Sequence, residues 1–272
     1  MGKYDKLKFH YSSTVGEFDW GKNRSEVFER FYDADEILDK EVAESEFKMI
    51  IREDPEFIDA YNSLGWFAME EFNYGIAQSY FQKAFKIGNS LIPKGFNGEI
   101  IWGIIDNRPF LRAMHGLGLS YLSINDFKQA LRYFKKNLEY NSNDNQGIRA
   151  LAIHCYIALG VFNNILKINR SFPDDAMADT MYGKVFALYN LQKTKEAEEA
   201  LSEALRYLPL VAKELVSNNH KLPQTIHLGT ITVGGHDEAY DYWERLGQYW
   251  TNPLLKEFLE NGIVKFMNKK NG

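Results

Sequence analysis

The sequence has a single cysteine, Cys155, among its 272 residues, so it cannot form an internal disulfide. A lone cysteine fits a reducing compartment, and Cys155 falls in the apolar run 150–157, where we expect a buried structural thiol. No apolar run approaches the roughly 18 residues needed to span a bilayer. The N-terminus also lacks the apolar core of a signal peptide. These absences predict a cytoplasmic chain without a membrane span.

An excess of positive charge is also lacking. The formal net charge is -5 and the sequence pI is about 5.8. Proteins that bind nucleic acid usually carry a clustered basic surface, so no nucleic-acid partner is expected. Hydrophobic residues make up 45% of the chain and aromatic residues 15%. This composition excludes a disordered chain and supplies the side chains for a core.

Signatures of catalysis are absent as well. The chain has no glycine-rich phosphate loop, no G-x-S-x-G and no H-E-x-x-H. His154 precedes Cys155, but neighbouring residues on a helix point about 100° apart and cannot act as base and nucleophile. His220, His227 and His236 lie in one region, yet their spacing matches no standard zinc-ligand pattern. We therefore expect no enzymatic activity, no metal site and no cofactor.

What the sequence does contain is a recurring helix pair. Residues 114–142 read as two antiparallel helices joined at 123–126. Gly118 and Ala130 are small, so the two helices can approach each other closely. Large side chains fill the space around that contact, namely Leu117, Tyr121, Phe127 and Phe134. This spacing resembles a helix pair of the tetratricopeptide repeat (TPR) superfamily.

The pattern recurs along the chain at the tetratricopeptide period. Ala77 follows Ala43 by 34 residues, which is the length of one such repeat. Ala130 follows Ala77 by 53 residues, so an insertion of roughly 19 residues must separate these two repeats. Ala197 follows Ala130 by 67 residues, one short of two periods. A degenerate repeat is therefore expected at 146–172.

The resemblance to the TPR superfamily implies the fold. Because single units cannot bury their apolar faces, stacked units share one continuous core. The implied fold class is all-α: a TPR-like, right-handed helical solenoid of antiparallel helix pairs, with a C-terminal extended segment and helical cap. The expected organisation is an N-terminal extension or cap at 1–33, a solenoid at 34–209 with an insertion at about 88–109, and the C-terminal extended segment and capping helices at 210–272.

The segments outside the repeats carry their own expectations. Residues 11–20 are expected to be loop, and residues 35–52 one helix. A short apolar helix is expected at 99–106, either packed over the preceding helix pair or using Trp102 to wall a groove. An extended stretch is expected at 225–233, lying along the solenoid or across its groove as a built-in lid. Further helices are expected in the C-terminal part, at 210–219, 236–249 and 253–267.

Three segments resemble the suppression-of-tumorigenicity-7 family and its bacterial TPR relatives. They are residues 102–112 with an Arg-Pro-aromatic step, the linker 141–149, and a tail pattern that runs from Pro209 to Trp250. The resemblance covers roughly residues 40–260. It implies an all-helical TPR body with a family-specific C-terminal appendage, and it implies no chemistry. Animal members carry membrane segments that this chain lacks, so their location is not transferred.

Candidate binding residues follow from the resemblance to the TPR superfamily, in which the first helix of each pair lines the concave groove. The positions not fixed by the repeat pattern are Asn62, Trp66, Met69, Arg112, His115, Gln146, Arg149 and Lys184. The set is polar, partly basic and aromatic in an acidic chain. It suggests an acidic or C-terminal peptide held by charge-assisted hydrogen bonds, with an apolar anchor against Trp66. In the other interpretation, Arg112 and Arg149 pair with nearby acids.

The functional expectation is a non-enzymatic protein–protein interaction module that binds a protein or peptide in its groove, as a monomer or homodimer. A chaperone tail is disfavoured, because Asn62 and Trp66 stand where the carboxylate clamp has Lys and Asn. Two alternatives stay open. One is a small-molecule-binding or enzymatic protein with its site between the groove and the C-terminal tail. The other is a structural subunit that forms homo-oligomers.

Overall fold

The computed structural model describes residues 3–223 and 230–271. Its chain divides into two compact units, which we call the N-terminal unit (Met1–Ile148) and the C-terminal unit (Arg149–Gly272). The regular secondary structure of the described residues is helical apart from one small antiparallel strand pair, and within each unit most consecutive helices pack against each other. The fold class is therefore all-α, of the TPR-like helical solenoid type. No helix of the described residues combines the length and apolar character needed to cross a membrane.

The N-terminal unit contains two strands and six helices in its described part. Chain order gives β1 (Lys8–Tyr11), β2 (Gly16–Asp19), α1 (Ser25–Asp35), α2 (Lys40–Glu53), α3 (Ile58–Glu70), α4 (Tyr74–Asn89), α5 (Arg108–Ser123) and α6 (Phe127–Tyr140). Consecutive helices pack as pairs, and α3 also packs against α5. The first helices of successive pairs are thus neighbours, as they are in a stack of repeats.

Glycines at the helix crossings explain why these helices pack closely. A Cβ atom placed on Gly118 of α5 would lie 2.3 Å from Cε1 of Phe134 on α6. The preceding pair repeats this contact, since a Cβ atom on Gly65 of α3 would lie 2.7 Å from the Phe81 ring of α4. Both phenylalanines are fully buried. The predicted pairing of small and large residues is confirmed, and the absence of a side chain at the glycines sets the helix spacing.

The N-terminal residues differ from the loop that was expected at 11–20. β1 and β2 form a hairpin, in which Phe9 pairs with Phe18. The hairpin is held by side chains far along the sequence: Asn107 Oδ1 accepts from the Phe18 amide at 3.0 Å, and Asn107 Nδ2 donates to the Gly16 carbonyl at 3.0 Å. Phe18 joins a core cluster with Phe110 and other residues of the N-terminal unit. A contact across about 90 residues leaves no local pattern, so the loop prediction was wrong.

The segment between α4 and α5 also corrects an expectation. Residues 99–106 do not form an apolar helix; only a 3₁₀ turn, Ile105–Asn107, precedes α5. Glu99 instead forms a parallel bridge with Val15, and the Ile100 amide donates to the Tyr140 carbonyl at 2.7 Å. These backbone groups are satisfied by partners outside the segment, so the chain has no need of a local helix here.

The helix expected at 35–52 is α2, which begins later than expected, at Lys40, because α1 ends only at Asp35. Asp39 caps α2 by accepting from the Glu41 and Val42 amides. α1 packs its buried face against α2, so residues within the expected N-terminal extension supply the first helix of the first pair. Arg24, 1% exposed, precedes α1 and bonds Asp54 Oδ2 after α2.

The C-terminal unit consists of helices in its described part. They are α7 (Ile148–Ala158, which starts at the unit boundary), α8 (Phe162–Ser171), α9 (Ala178–Asn190), α10 (Thr194–Tyr207), α11 (Pro209–Val216), α12 (His236–Leu246) and α13 (Pro253–Asn271), with a 3₁₀ turn at Gly247–Trp250. α13 packs on α10 and α11, whereas α12 packs on α11 and α9. Most of the expected extended stretch 225–233 lies outside the described residues.

Candidate peptide-binding surface

The N-terminal unit presents a surface formed by its first helices, α3 and α5. We define this first-helix surface by partly exposed side chains that share one face of each helix: Ser63, Trp66, Met69, His115, Leu119 and Leu122. The Trp66 ring lies edge-on to Phe81, with centroids 5.4 Å apart, and to His115, with centroids 6.1 Å apart. Three of the predicted groove residues, Trp66, Met69 and His115, therefore meet on this surface.

Asn62 has a different place from the one expected, because it is 2% exposed. Its amide nitrogen donates to Pro109 O at 2.9 Å and to Asp59 Oδ1 at 3.0 Å. These bonds join α3 to the start of α5. Asn62 therefore holds two first helices together and lies beneath the first-helix surface, out of reach of a ligand.

Arg112 is paired within the protein. Its Nη1 atom donates to Asp59 Oδ2 at 2.9 Å, and its guanidinium lies 5.6 Å from the Trp102 ring. Burial raises the pKa of the Asp59 carboxyl, while Arg112 and the Asn62 amide favour its charged form. The alternative in which the arginine neutralises a nearby acid describes this contact. Arg112 therefore contacts both Asp59 and the Trp102 ring at one edge of the first-helix surface.

His115 is the titratable group of the first-helix surface. Burial beside Trp66 lowers the pKa of its imidazole to about 4. A neutral ring at pH 7 offers one donor and one acceptor but no positive charge. With Arg112 already paired, this surface is apolar and aromatic with a few neutral polar groups, and it lacks the free cations expected for an acidic ligand.

The remaining predicted residues belong to other contacts. Gln146 Oε1 accepts from Asn137 Nδ2 at 3.2 Å, within the N-terminal unit. In the C-terminal unit, Arg149 bonds Asp175 and stacks over Phe172, 5.0 Å from the ring centroid. Lys184 lies 3.1 Å from Glu203. The two predicted groove cations of the C-terminal unit, Arg149 and Lys184, thus have acidic partners.

The first helix α9 of the C-terminal unit is covered by α12. Arg245 of α12 donates to both carboxylate oxygens of Asp179, at 2.8 and 2.9 Å. Trp250, in the 3₁₀ turn after α12, packs on Phe186 with ring centroids 5.1 Å apart. Glu238 Oε1 accepts from the Ala178 amide at 2.9 Å. Glu238 lies in the first turn of its own helix, and its carboxylate also bonds the first turn of α9.

The repeat register relates the covered surface of α9 to the open surface of α3. Asp59 and Asp179 each stand 18 residues before the small residue of the second helix, Ala77 and Ala197 respectively. Trp66 and Phe186 each stand 11 residues before the same alanines. Phe186 is 6% exposed under Trp250, and Trp66 is partly exposed. Equivalent positions are therefore filled in the C-terminal unit and accessible in the N-terminal unit.

The structure gives the surroundings of the cysteine and of the histidines considered above for catalysis or metal binding. Burial raises the pKa of the Cys155 thiol to about 12, so it stays protonated and is a poor nucleophile. Across residues 3–223 and 230–271, no three His, Cys, Asp or Glu side chains are grouped to hold a metal. His220 stacks on Trp243, with ring centroids 3.6 Å apart, and bonds Glu214 at 2.7 Å. His227 lies outside the described residues.

Comparison with known proteins agrees with this architecture. The tetratricopeptide-repeat family model matches residues 58–87 and 111–144, which contain α3 and α6 and most of α4 and α5. Among solved structures, the chain is similar to YrrB, described as a TPR protein with an unusual peptide-binding site. The identity is 19%, the TM-score is 0.46, and the match covers 67% of this chain and 80% of YrrB.

The search of curated proteins found no match. None of the comparisons tests the resemblance to the suppression-of-tumorigenicity-7 family, which therefore stays a resemblance. The helix pairs α3–α4 and α5–α6, with a glycine on each first helix facing a phenylalanine on each second helix, fall on the two stretches that the family model matches. The chain therefore carries two matches to the tetratricopeptide repeat, at 58–87 and 111–144.

Proposed function

We propose that the first-helix surface of the N-terminal unit binds a segment of a partner protein. One observation carries the proposal: the positions that α12 covers on α9 are accessible on α3. Phe186 packs under Trp250, while Trp66 at the equivalent position keeps part of its ring exposed. A partly exposed aromatic ring in a line of apolar side chains is the composition of a binding hot spot.

The side chains of the surface define the partner's chemistry. Trp66, Met69 and Leu119 offer apolar contacts, while Ser63 and neutral His115 offer hydrogen bonds. Arg112 is engaged by Asp59, so an acidic peptide finds no free guanidinium here. The occupant that α9 receives is a helix with large aromatic residues, α12. By analogy, the proposed ligand is an amphipathic helical segment with an aromatic or large aliphatic anchor.

Peptide display tests this proposal and does not require that the partner be identified first. A random 16-residue peptide library is selected on the full chain, and the affinity of the selected peptides is measured by fluorescence anisotropy. We expect the selected peptides to have apolar residues at helical spacing. Trp66→Ala should weaken their binding at least tenfold. Ser63→Arg, which keeps Trp66 and its contact with Phe81, should weaken them as well by blocking the surface.

The matched control is Tyr207→Ala, which removes a ring that is 56% exposed in the C-terminal unit. Thermal melting of each variant separates loss of binding from loss of folding. Selected peptides that bind Trp66→Ala and Ser63→Arg as tightly as the wild type would exclude the first-helix surface as the site. A thiol-dependent activity is not proposed, because the protonated Cys155 thiol is the one thiol of the chain.

A further inference from the structure

A second surface of the N-terminal unit has the opposite character from the first. A groove of about 570 Å³ lies between the second helices α4 and α6. Phe85 and Asn89 of α4 line one side. The α6 side carries four cations, namely Lys128, Arg132, Lys135 and Lys136. We call this the basic groove.

The cations of the basic groove share one face of α6. Lys128, Arg132 and Lys136 follow each other at intervals of four residues, and Lys135 lies on the same side. Like charges at this spacing repel each other and disfavour the helix. Packing does not require them, since the buried face of α6 is formed by other residues, including Ala130 and Phe134. The mutual repulsion of these charges therefore costs helix stability, and the buried face of α6 does not need them.

Acidic neighbours do not neutralise three of these four charges. Within the described residues, Lys128, Arg132 and Lys135 form no salt bridge; the Arg132 guanidinium lies 5.7 Å from the Tyr133 ring. Lys136 is 3.5 Å from Glu139 and 4.0 Å from the centre of the Tyr140 ring. A chain with a net charge of -5 therefore concentrates unpaired positive charge in one groove.

The floor of the basic groove is apolar. The rings of Phe85 and Tyr133 meet edge to face with centroids 5.5 Å apart, and Leu131 lines the same groove. A ligand that uses the whole groove must therefore present several negative charges together with an apolar side chain. A polyphosphate lacks the apolar part and would leave the rings of Phe85 and Tyr133 uncovered.

We propose that the basic groove binds an acidic segment of a partner protein, in which Asp and Glu residues flank one or two large apolar residues. The carboxylates pair with Lys128, Arg132 and Lys135, and the apolar side chain packs on Phe85 and Tyr133. The proposal is independent of the first-helix surface, since it uses residues of α4 and α6 alone. The net charge of -5 does not indicate such a basic surface.

Anisotropy with a fluorescein-labelled probe tests the proposal. The probe is a 12-residue peptide with eight Asp or Glu residues around a central Phe-Leu pair, added to the full chain at 50 and 300 mM NaCl. We expect saturable binding at the lower salt concentration and at least a tenfold loss of affinity at the higher one, because the contacts are ionic. Replacing Phe-Leu by Ser-Ser should weaken binding several-fold.

Charge reversal locates the site. Arg132→Glu together with Lys135→Glu should weaken binding of the acidic probe at least tenfold. The matched control, Lys195→Glu together with Lys213→Glu, makes the same change in net charge at exposed positions of the C-terminal unit and should change affinity less than twofold. Arg132→Gln alone provides a milder variant if the double reversal lowers the melting temperature.

Two outcomes would overturn the proposal. One is equal weakening of the acidic probe by the groove variant and the matched control, since binding would then follow net charge alone. The other is tighter binding of a labelled 12-nucleotide oligothymidine than of the acidic peptide, which would identify the groove as a site for single-stranded nucleic acid.

Discussion

Arg245 holds Asp179 through two hydrogen bonds, one from each terminal nitrogen of the guanidinium, at 2.8 and 2.9 Å. This bidentate pair joins α12 to the first turn of α9 across 66 residues of sequence. Asp179 is 5% exposed, so its charge depends on Arg245 for compensation. The pair fixes α12 on the surface that the equivalent helix α3 leaves accessible, and this contrast underlies the proposed function.

Removing the arginine should release α12. Arg245→Gln leaves the buried Asp179 carboxylate without its cation, and breaking a buried pair costs about 3 kcal/mol. We expect a lower free energy of unfolding of the C-terminal unit and faster hydrogen exchange in 236–250. The control is Arg170→Gln, which replaces an exposed arginine of the same unit. Unchanged exchange in α12 of Arg245→Gln would contradict the role given to the pair.

The close helix crossings make a second prediction, for Gly118. A Cβ atom there would lie 2.3 Å from the Phe134 ring, so Gly118→Ala forces α5 and α6 apart. We expect the free energy of unfolding to fall by about 1–3 kcal/mol. A Cβ atom on Gly75 of α4 would meet no atom within 4 Å, so Gly75→Ala should be neutral or stabilising by up to ~1 kcal/mol. Urea unfolding measures both, and equal effects would refute the packing argument.

Two partly buried histidines predict the response to acid. Burial lowers the pKa of His115 and of His154 to about 4, and Arg245 adds to the effect on His154. The unfolded chain, with an ordinary histidine pKa near 6.5, binds more protons than the folded chain between pH 6.5 and 4. The free energy of unfolding therefore decreases as pH falls through this window, by about 2 kcal/mol for each histidine between pH 6.5 and 5.

Variants separate these two contributions from general acid effects. His115→Gln and His154→Gln should each reduce the loss of unfolding free energy between pH 7 and pH 5, measured by urea titration. His236→Gln changes an exposed histidine and should leave the loss as it is in the wild type. An identical pH dependence in all three variants and the wild type would show that other groups cause it.

The sequence predicts those parts of the fold that local patterns encode. The spacing of Gly118, Ala130 and Phe134 indicates a helix pair, because the small and large residues that meet lie within one repeat. The strand β2 (Gly16–Asp19) of the hairpin was not predicted, since the side chain that holds it, Asn107, lies 89 residues from Phe18. No local periodicity records a contact of that length, and a strand of four residues is too short to show its own.

The binding residues were harder to predict for a related reason. Trp66 and His115 were found because the repeat register places them on first helices. For Arg112 the sequence left open whether its charge is free for a ligand or paired with an acid, because its partner Asp59 lies 53 residues away. The covering of α9 by α12 follows from tertiary packing and has no repeat signal. The basic groove, by contrast, is visible in the spacing of Lys128, Arg132 and Lys136, which repeats every four residues.

Hydrogen exchange with a library-selected peptide tests the central claim, that the first-helix surface of the N-terminal unit is the open one. Exchange of the full chain is measured by mass spectrometry with and without saturating peptide. The account predicts slower exchange in 58–70 and 108–122, with 236–250 unchanged because α12 stays in place. Protection confined to the C-terminal unit, or faster exchange in 236–250 as the peptide displaces α12, would contradict it.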